Sequence, residues 1–151
     1  MDQPKATVVL SGEKQIVRTQ NSEYVFHISS YTTNGKLSIY EATFRTPGKN
    51  KNLHYHKIIT ETFTVLEGEF YFNLADEEMV LKPGDSLVVP PTVIHGFRAK
   101  LPGSKLLIGF TDSPERDDFF VKLAQIVNGE LVLNEKEKEG FYNSYDQYYP
   151  V

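Results

Sequence analysis

The stretch Gly48-KNKNL-His54-Y-His56-KIIT-Glu61-TFTVLE-Gly68 sets two imidazoles and a carboxylate between two glycines. A second stretch, Gly84-DSLVV-Pro90-PTVI-His95, sets a third imidazole behind a glycine and a proline. Residues two apart on a β-strand share a face, so His54 and His56 can offer two imidazoles to one ion while Tyr55 turns away. Glu61 lies at an odd offset from His56, which an unbroken strand would place on the opposite face, so the chain between Lys57 and Thr60 is expected to bend or bulge. Imidazole nitrogens joined by one carboxylate suit a divalent transition metal, one per chain: iron, manganese, nickel, copper or zinc. They do not suit calcium, which takes oxygen ligands. The chain has no cysteine, so thiolate sites and disulfides are excluded.

Around these blocks, short runs rich in Val, Ile, Tyr, Phe and Thr alternate with turn signals, an all-β pattern. Strands are expected at Val8–Leu10, Tyr24–Ser30, Leu37–Arg45, Leu53–Lys57, Thr62–Glu67, Glu69–Leu74, Glu78–Leu81, Ser86–Val89, Ile94–Ala99 and Lys105–Phe110. Asn34-Gly35 and Lys82-Pro83-Gly84-Asp85 read as tight turns. After Thr111 the period becomes helical. Ser113 is a candidate cap and Pro114 a first-turn residue; an apolar stripe from Phe119 to Val127 follows and stops at Asn128-Gly129. That helix should pack outside the β-domain or on a partner. A second helix is expected from Asn134, with Glu137 completing a capping box, and Tyr142, Tyr145, Tyr148 and Tyr149 as anchors for the tail.

The 151 residues form one expected domain, 1–151, with a barrel over about 6–111 and a helical tail over about 113–151. The run Ala6–Leu10 is too short for a signal core or a membrane span, which leaves the cytoplasm as the default location. A net charge of −4 and an acidic segment from Glu130 to Glu139 argue against nucleic acid as a partner. Lys49 and Lys51 read as solvated turn residues, and His27, outside both blocks, as a structural or surface histidine.

The two blocks resemble the two motifs of the cupin superfamily. The first motif is met without a gap from Gly48 to Gly68; in the second, Gly84, Pro90 and His95 match, while Thr92 stands where the family has glycine and Ala99 where it has asparagine. The resemblance implies a cupin jelly-roll β-barrel with a short C-terminal helical extension, a metal in its mouth held by His54, His56, Glu61 and His95, and a homodimer. Strand parity suggests Tyr40, Phe44, Phe63 and Phe97 as walls of a substrate pocket. The functional expectation is a metal-dependent dioxygenase acting on a small organic substrate, aromatic or enolic, as in quercetinase-like cupins, with Glu61 as ligand and transient proton acceptor. The alternatives are a non-oxidative isomerase, decarboxylase or lyase using the same ligands, and a cupin that binds a small molecule without turnover.

Overall fold

The computed structural model describes residues 3–151; the first two positions of the expected domain lie outside the described residues. Among the described residues, nine antiparallel strands form two facing sheets. They are β1 (Ile16–Arg18), β2 (Ser22–Ile28), β3 (Leu37–Phe44), β4 (Glu61–Glu67), β5 (Phe70–Leu74), β6 (Glu77–Leu81), β7 (Ser86–Val89), β8 (His95–Ala99) and β9 (Ser104–Thr111). One sheet runs β1-β2-β3-β9-β4-β7 and the other β6-β5-β8. This is a jelly-roll barrel followed by two short helices, α1 (Arg116–Val127) and α2 (Glu135–Ser144). No helix among the described residues is long and apolar enough to cross a membrane.

The period of two explains the core. Along β4, Glu61, Phe63 and Val65 are buried while Thr62, Leu66 and Glu67 are exposed; along β3, Ser38, Tyr40 and Ala42 are buried. Inward rows from both sheets meet as an aromatic cluster, with Phe63 edge-on to Phe72 at 5.0 Å and Phe97 5.5 Å from Phe63. Such edge-to-face pairs add about 0.5–1.5 kcal/mol each beyond the area they bury.

Three expected elements differ. Val8–Leu10 is not a strand: Val8 and Leu10 are exposed, and the edge strand is Ile16–Arg18, paired to β2. Leu53–Lys57 is reduced to two isolated bridges, His54 with His95 and Tyr55 with Tyr148, because the N–H groups of Lys57, Ile58 and Ile59 turn to the side chain of Asp146 instead of a neighbouring strand. The first helix begins at Arg116 rather than Pro114. The Ser113 N–H bonds to the Gly35 carbonyl and its hydroxyl accepts from Arg116 Nε, so Ser113 caps nothing. The second helix starts where its capping box placed it, with Asn134 Oδ1 accepting from the Glu137 N–H at 2.8 Å.

The helices lie against the barrel. Phe120 of α1 enters the core beside Tyr40, ring centroids 4.5 Å apart, and Phe119 stacks on Phe141 of α2 at 5.5 Å. The chain then returns to the first histidine block. Tyr148 exchanges two backbone hydrogen bonds with Tyr55, both 2.9 Å, and its ring stacks on the Tyr55 ring.

Thr92 takes φ +76° at the position where the family motif has glycine. Its N–H donates to the His56 carbonyl at 2.7 Å, which keeps this turn beside the site. A left-handed conformation costs an L-residue roughly 1–2 kcal/mol, part of which glycine returns as backbone entropy. Thr92→Gly is expected to stabilise the chain by about 0.5–1 kcal/mol. Urea denaturation checks this, and a loss of stability would show that the threonine makes a contact worth more than its strain. Ala99, in place of the motif asparagine, is buried, and its carbonyl accepts from the Gly48 N–H at 3.0 Å.

Candidate metal centre

Four side chains from three parts of the chain meet at one end of the barrel. His54 is the bridge partner of His95, His56 directly follows the two isolated bridges, Glu61 opens β4, and His95 opens β8. One donor atom from each lies within 4.8 Å of all the others, and all four residues are buried. The expected irregularity between Lys57 and Thr60 makes this convergence possible. Asp146 Oδ1 accepts from the Lys57 N–H at 2.8 Å, and Oδ2 from Ile58 and Ile59 at 2.9 and 3.0 Å, which holds the bend that brings Glu61 onto the face of His56.

The orientation of each ring is set from behind. His54 Nδ1 lies 2.7 Å from the Asn52 carbonyl, His56 Nδ1 2.6 Å from the Asp146 carbonyl, and His95 Nδ1 2.9 Å from the Val93 carbonyl. A carbonyl oxygen can only accept, so in all three Nδ1 carries the hydrogen and Nε2 is the inward-facing atom. Backbone partners of this kind fix the tautomer of metal-binding histidines.

His56 Nε2 and His95 Nε2 each lie 3.0 Å from Glu61 Oε1. With Nδ1 protonated, a neutral imidazole would point a lone pair at that oxygen. Only a cation relieves this arrangement: a proton on each ring, or a metal ion among them. The donor set, three imidazole nitrogens and one carboxylate, fits a single divalent transition-metal ion.

Electrostatics support the same chemistry. Burial, helped by the nearby His95, pushes His54 down to about 3, so its Nε2 keeps a free lone pair across the neutral range. Burial would raise the Glu61 carboxyl, but hydrogen bonds and charge from His56 and His95 outweigh it and hold the group well below the usual carboxylate range. Burial opposes charge on His95 as well, and there the hydrogen bond and charge of Glu61 win and raise it.

A pH dependence follows. The folded value of His54 lies below the unfolded value near 6.5, so between the two the unfolded chain binds more protons and acid destabilises the fold. Glu61, also lowered, acts in the same direction at lower pH, whereas the contribution of His95 is full below its unfolded value and is lost as pH rises through the folded one. The metal-free chain is therefore expected to lose stability from about pH 6.5 downwards, by up to ~1.4 kcal/mol per unit from His54. Denaturant titrations with chelator present test this, and the slope should flatten in His54→Gln. An identical slope in that variant would remove His54 as its source.

Outside the four candidate ligands lies a cavity of about 220 Å³. Its wall includes Phe97, Ile108, Phe110 and Leu123, and from the tail Tyr142, Gln147 and Tyr149. Of the four aromatics taken from strand parity, Phe97 lines this cavity, whereas Tyr40 and Phe63 are fully buried core residues and Phe44 packs against that core. Among the wall residues that sequence reasoning missed are Ile108, Phe110 and Arg116, the last at the start of α1 and completely buried. A lone arginine in a sequence-predicted amphipathic helix carries no signal of such a role.

The family model for the cupin domain matches residues 45–106, the span that holds all four candidate ligands. The chain carries a cupin domain over these residues. Within this cupin, 45 residues, 30% of the chain, are 44% identical to the quercetin 2,3-dioxygenase of Bacillus subtilis (strain 168), and the match spans only 13% of that enzyme's length. Among solved structures, KdgF from Halomonas sp. is similar over 76% of this cupin and 98% of its own chain, with a TM-score of 0.60 and 23% identity. The hydroxypropylphosphonic acid epoxidase from S. wedmorenis is similar over 70% and 59%, with a TM-score of 0.59 and 22% identity. An RmlC-like cupin from Shewanella frigidimarina NCIMB 400 covers 76% of this chain and 96% of its own, with a TM-score of 0.56 and 24% identity. At these identities the structural likeness establishes the fold.

Proposed function

We propose that this cupin is a metal-dependent dioxygenase-type enzyme acting on a small organic substrate, with His54, His56, Glu61 and His95 as ligands and Glu61 as the proton-holding group. The observation that carries the reading is the convergence of three carbonyl-oriented histidines and a charged Glu61, of which His54, His56 and Glu61 line a largely apolar cavity. The local identity to a quercetin 2,3-dioxygenase, which includes the name's chemistry only for that protein, supports an oxidative reaction.

When bound, a redox-active divalent ion supplies Lewis acidity and electron transfer to dioxygen. The chain's own groups do the rest. His54, His56 and His95 hold their Nε2 atoms in a fixed array through backbone carbonyls. Glu61 uses Oε1 toward His56 and His95, which leaves Oε2 to take a proton from a substrate hydroxyl. Phe97, Ile108 and Phe110 exclude water, and the rings of Phe97 and Phe110 offer flat faces to an aromatic or enolic body.

Elemental analysis of the purified chain, followed by an oxygen-consumption screen over small phenols and enols, tests the reading. Near-stoichiometric iron, manganese, copper or nickel with substrate-dependent oxygen uptake is expected. Zinc alone, or no metal, would overturn the oxidative reading in favour of non-oxidative chemistry or ligand binding, because zinc cannot pass electrons to dioxygen. A cytoplasmic homodimer belongs to the same reading, and sedimentation of the full chain tests the dimer.

A further inference from the structure

Arg116 is fully buried, and the positive charge it carries is only partly accounted for. Its Nε donates to Ser113 Oγ at 3.1 Å and its Nη2 to the Tyr145 carbonyl at 2.7 Å, while Nη1 is buried with no partner. The guanidinium lies 4.5 Å from the ring centres of both Phe110 and Phe119, so its faces are covered by aromatic rings. None of the ion pairs among the described residues includes it. Its neighbour Asp117 is occupied elsewhere: its carboxylate accepts from the Ser29 hydroxyl, the Ser30 N–H at 3.0 Å and the Tyr40 hydroxyl at 2.5 Å.

A buried guanidinium without a counter-ion is expensive, and removing a charge from water is offset only by hydrogen bonds and a partner of opposite sign. Burial lowers Arg116 to about 10, with Glu61 among the charges that hold it up, so it stays protonated at neutral pH. It lines the same cavity as His54, His56 and Glu61, and Phe110, on which it rests, is 6.4 Å from the His56 ring. With a divalent ion held beside the single carboxylate of Glu61 and a guanidinium on the same wall, the cavity would be positively charged overall. The rest of its wall is mostly apolar, with Asn52, Gln147 and the tyrosines Tyr24, Tyr142 and Tyr149 as the polar exceptions, and its volume of about 220 Å³ suits a small body.

We infer that Arg116 is the anion-recognising residue of this cavity, and that the ligand it selects is a small organic carboxylate with an apolar or aromatic body. The carboxylate accepts from the free Nη1, and the apolar part lies against Phe97, Ile108 and Phe110. The inference rests on reading this cavity as the substrate site and narrows the substrate class from small organic molecules to carboxylic acids. Arginine suits the task better than lysine, since the charge is permanent and the plane of the guanidinium is held between rings.

The test is calorimetric titration of the full chain, freed of metal by chelator, with acetate, benzoate and phenylacetate and with the neutral amides benzamide and phenylacetamide. Benzoate or phenylacetate is expected to bind saturably and about 10–100-fold more tightly than its amide, the range for a hydrogen bond to a charged group. The Arg116 side-chain N–H resonance should shift with the acid and not with the amide, a reading on the unaltered chain that needs no variant. In Arg116→Gln the acid-to-amide ratio should fall to near unity, and Arg116→Lys should restore part of it, with circular dichroism reporting the fold of each. Absence of saturable binding by every acid, equal binding of acid and amide, or a preference that survives in folded Arg116→Gln would overturn the proposal. Acid selectivity in a chain that elemental analysis shows to take up no metal would keep this inference and remove the oxygenase reading; metal with oxygen uptake but no acid selectivity would do the reverse.

Discussion

In the His54→Ala/His56→Ala double variant, bound metal is expected to fall from near one per chain to a trace, while the barrel stays folded. Loss of a group that merely orients a ligand costs about 10–100-fold in metal affinity, and removing two ligands should exceed that. The fold should survive because the strands are held by the cluster of Phe63, Phe70, Phe72, Val65 and Leu106, all essentially inaccessible, and not by the imidazoles. In the metal-free chain the double variant also relieves the burial of His54, a ring whose Nδ1 bonds only to the Asn52 carbonyl. Elemental analysis together with circular dichroism checks both halves. Stoichiometric metal in a folded double variant would show that the ion sits elsewhere.

Asp146→Ala is expected to cost about 2–3 kcal/mol of stability and to weaken metal binding by about 10–100-fold, although Asp146 is not a ligand. Two effects act together. Three backbone N–H groups lose a charged acceptor; those of Lys57 and Ile58 can turn to water, while that of Ile59, in a buried residue, is less able to. Asp146 also sits at φ +58°, which aspartate tolerates better than alanine. The metal effect is indirect: the Asp146 carbonyl is the partner of His56 Nδ1, and a tail that loosens frees the His56 ring. Asp146→Asn keeps the backbone preference and one acceptor oxygen and should lose roughly half as much. Urea denaturation and competition with a metal chelator measure the two effects, and an alanine variant equal to the parent in both would refute the tail's part in holding the site.

The tail explains why part of the site could not be read in advance. His54, His56, Glu61 and His95 are legible because their spacing between glycine and proline turns is a local property, set by strand parity and turn geometry over a few residues each. The bend before Glu61 is legible for the same reason, as a conflict of parity. What closes the bend is not, since Asp146 lies about ninety residues further on, and nothing local to Ser144-Tyr145-Asp146 marks it as an acceptor for Lys57, Ile58 and Ile59. The pocket walls divide similarly. Alternation put Tyr40, Phe63 and Phe97 on inward faces, but whether an inward residue meets a cavity or other side chains depends on what the opposite sheet and α1 supply, and Phe120 fills the space beside Tyr40.

By itself, then, the order of residues determined the alternation that makes the sheets, the turns at Asn34-Gly35 and Gly84, the capping box at Asn134 and which four side chains are the candidate donors, all of which rest on interactions within a few positions. Tertiary structure alone decided which carbonyl orients each imidazole, which inward aromatics became wall and which became core, and that an arginine from α1 stands with one nitrogen unpartnered beside the candidate metal centre. Those outcomes depend on contacts between segments far apart in the chain, where burial and the demand that polar groups find partners are settled only once the whole fold has closed.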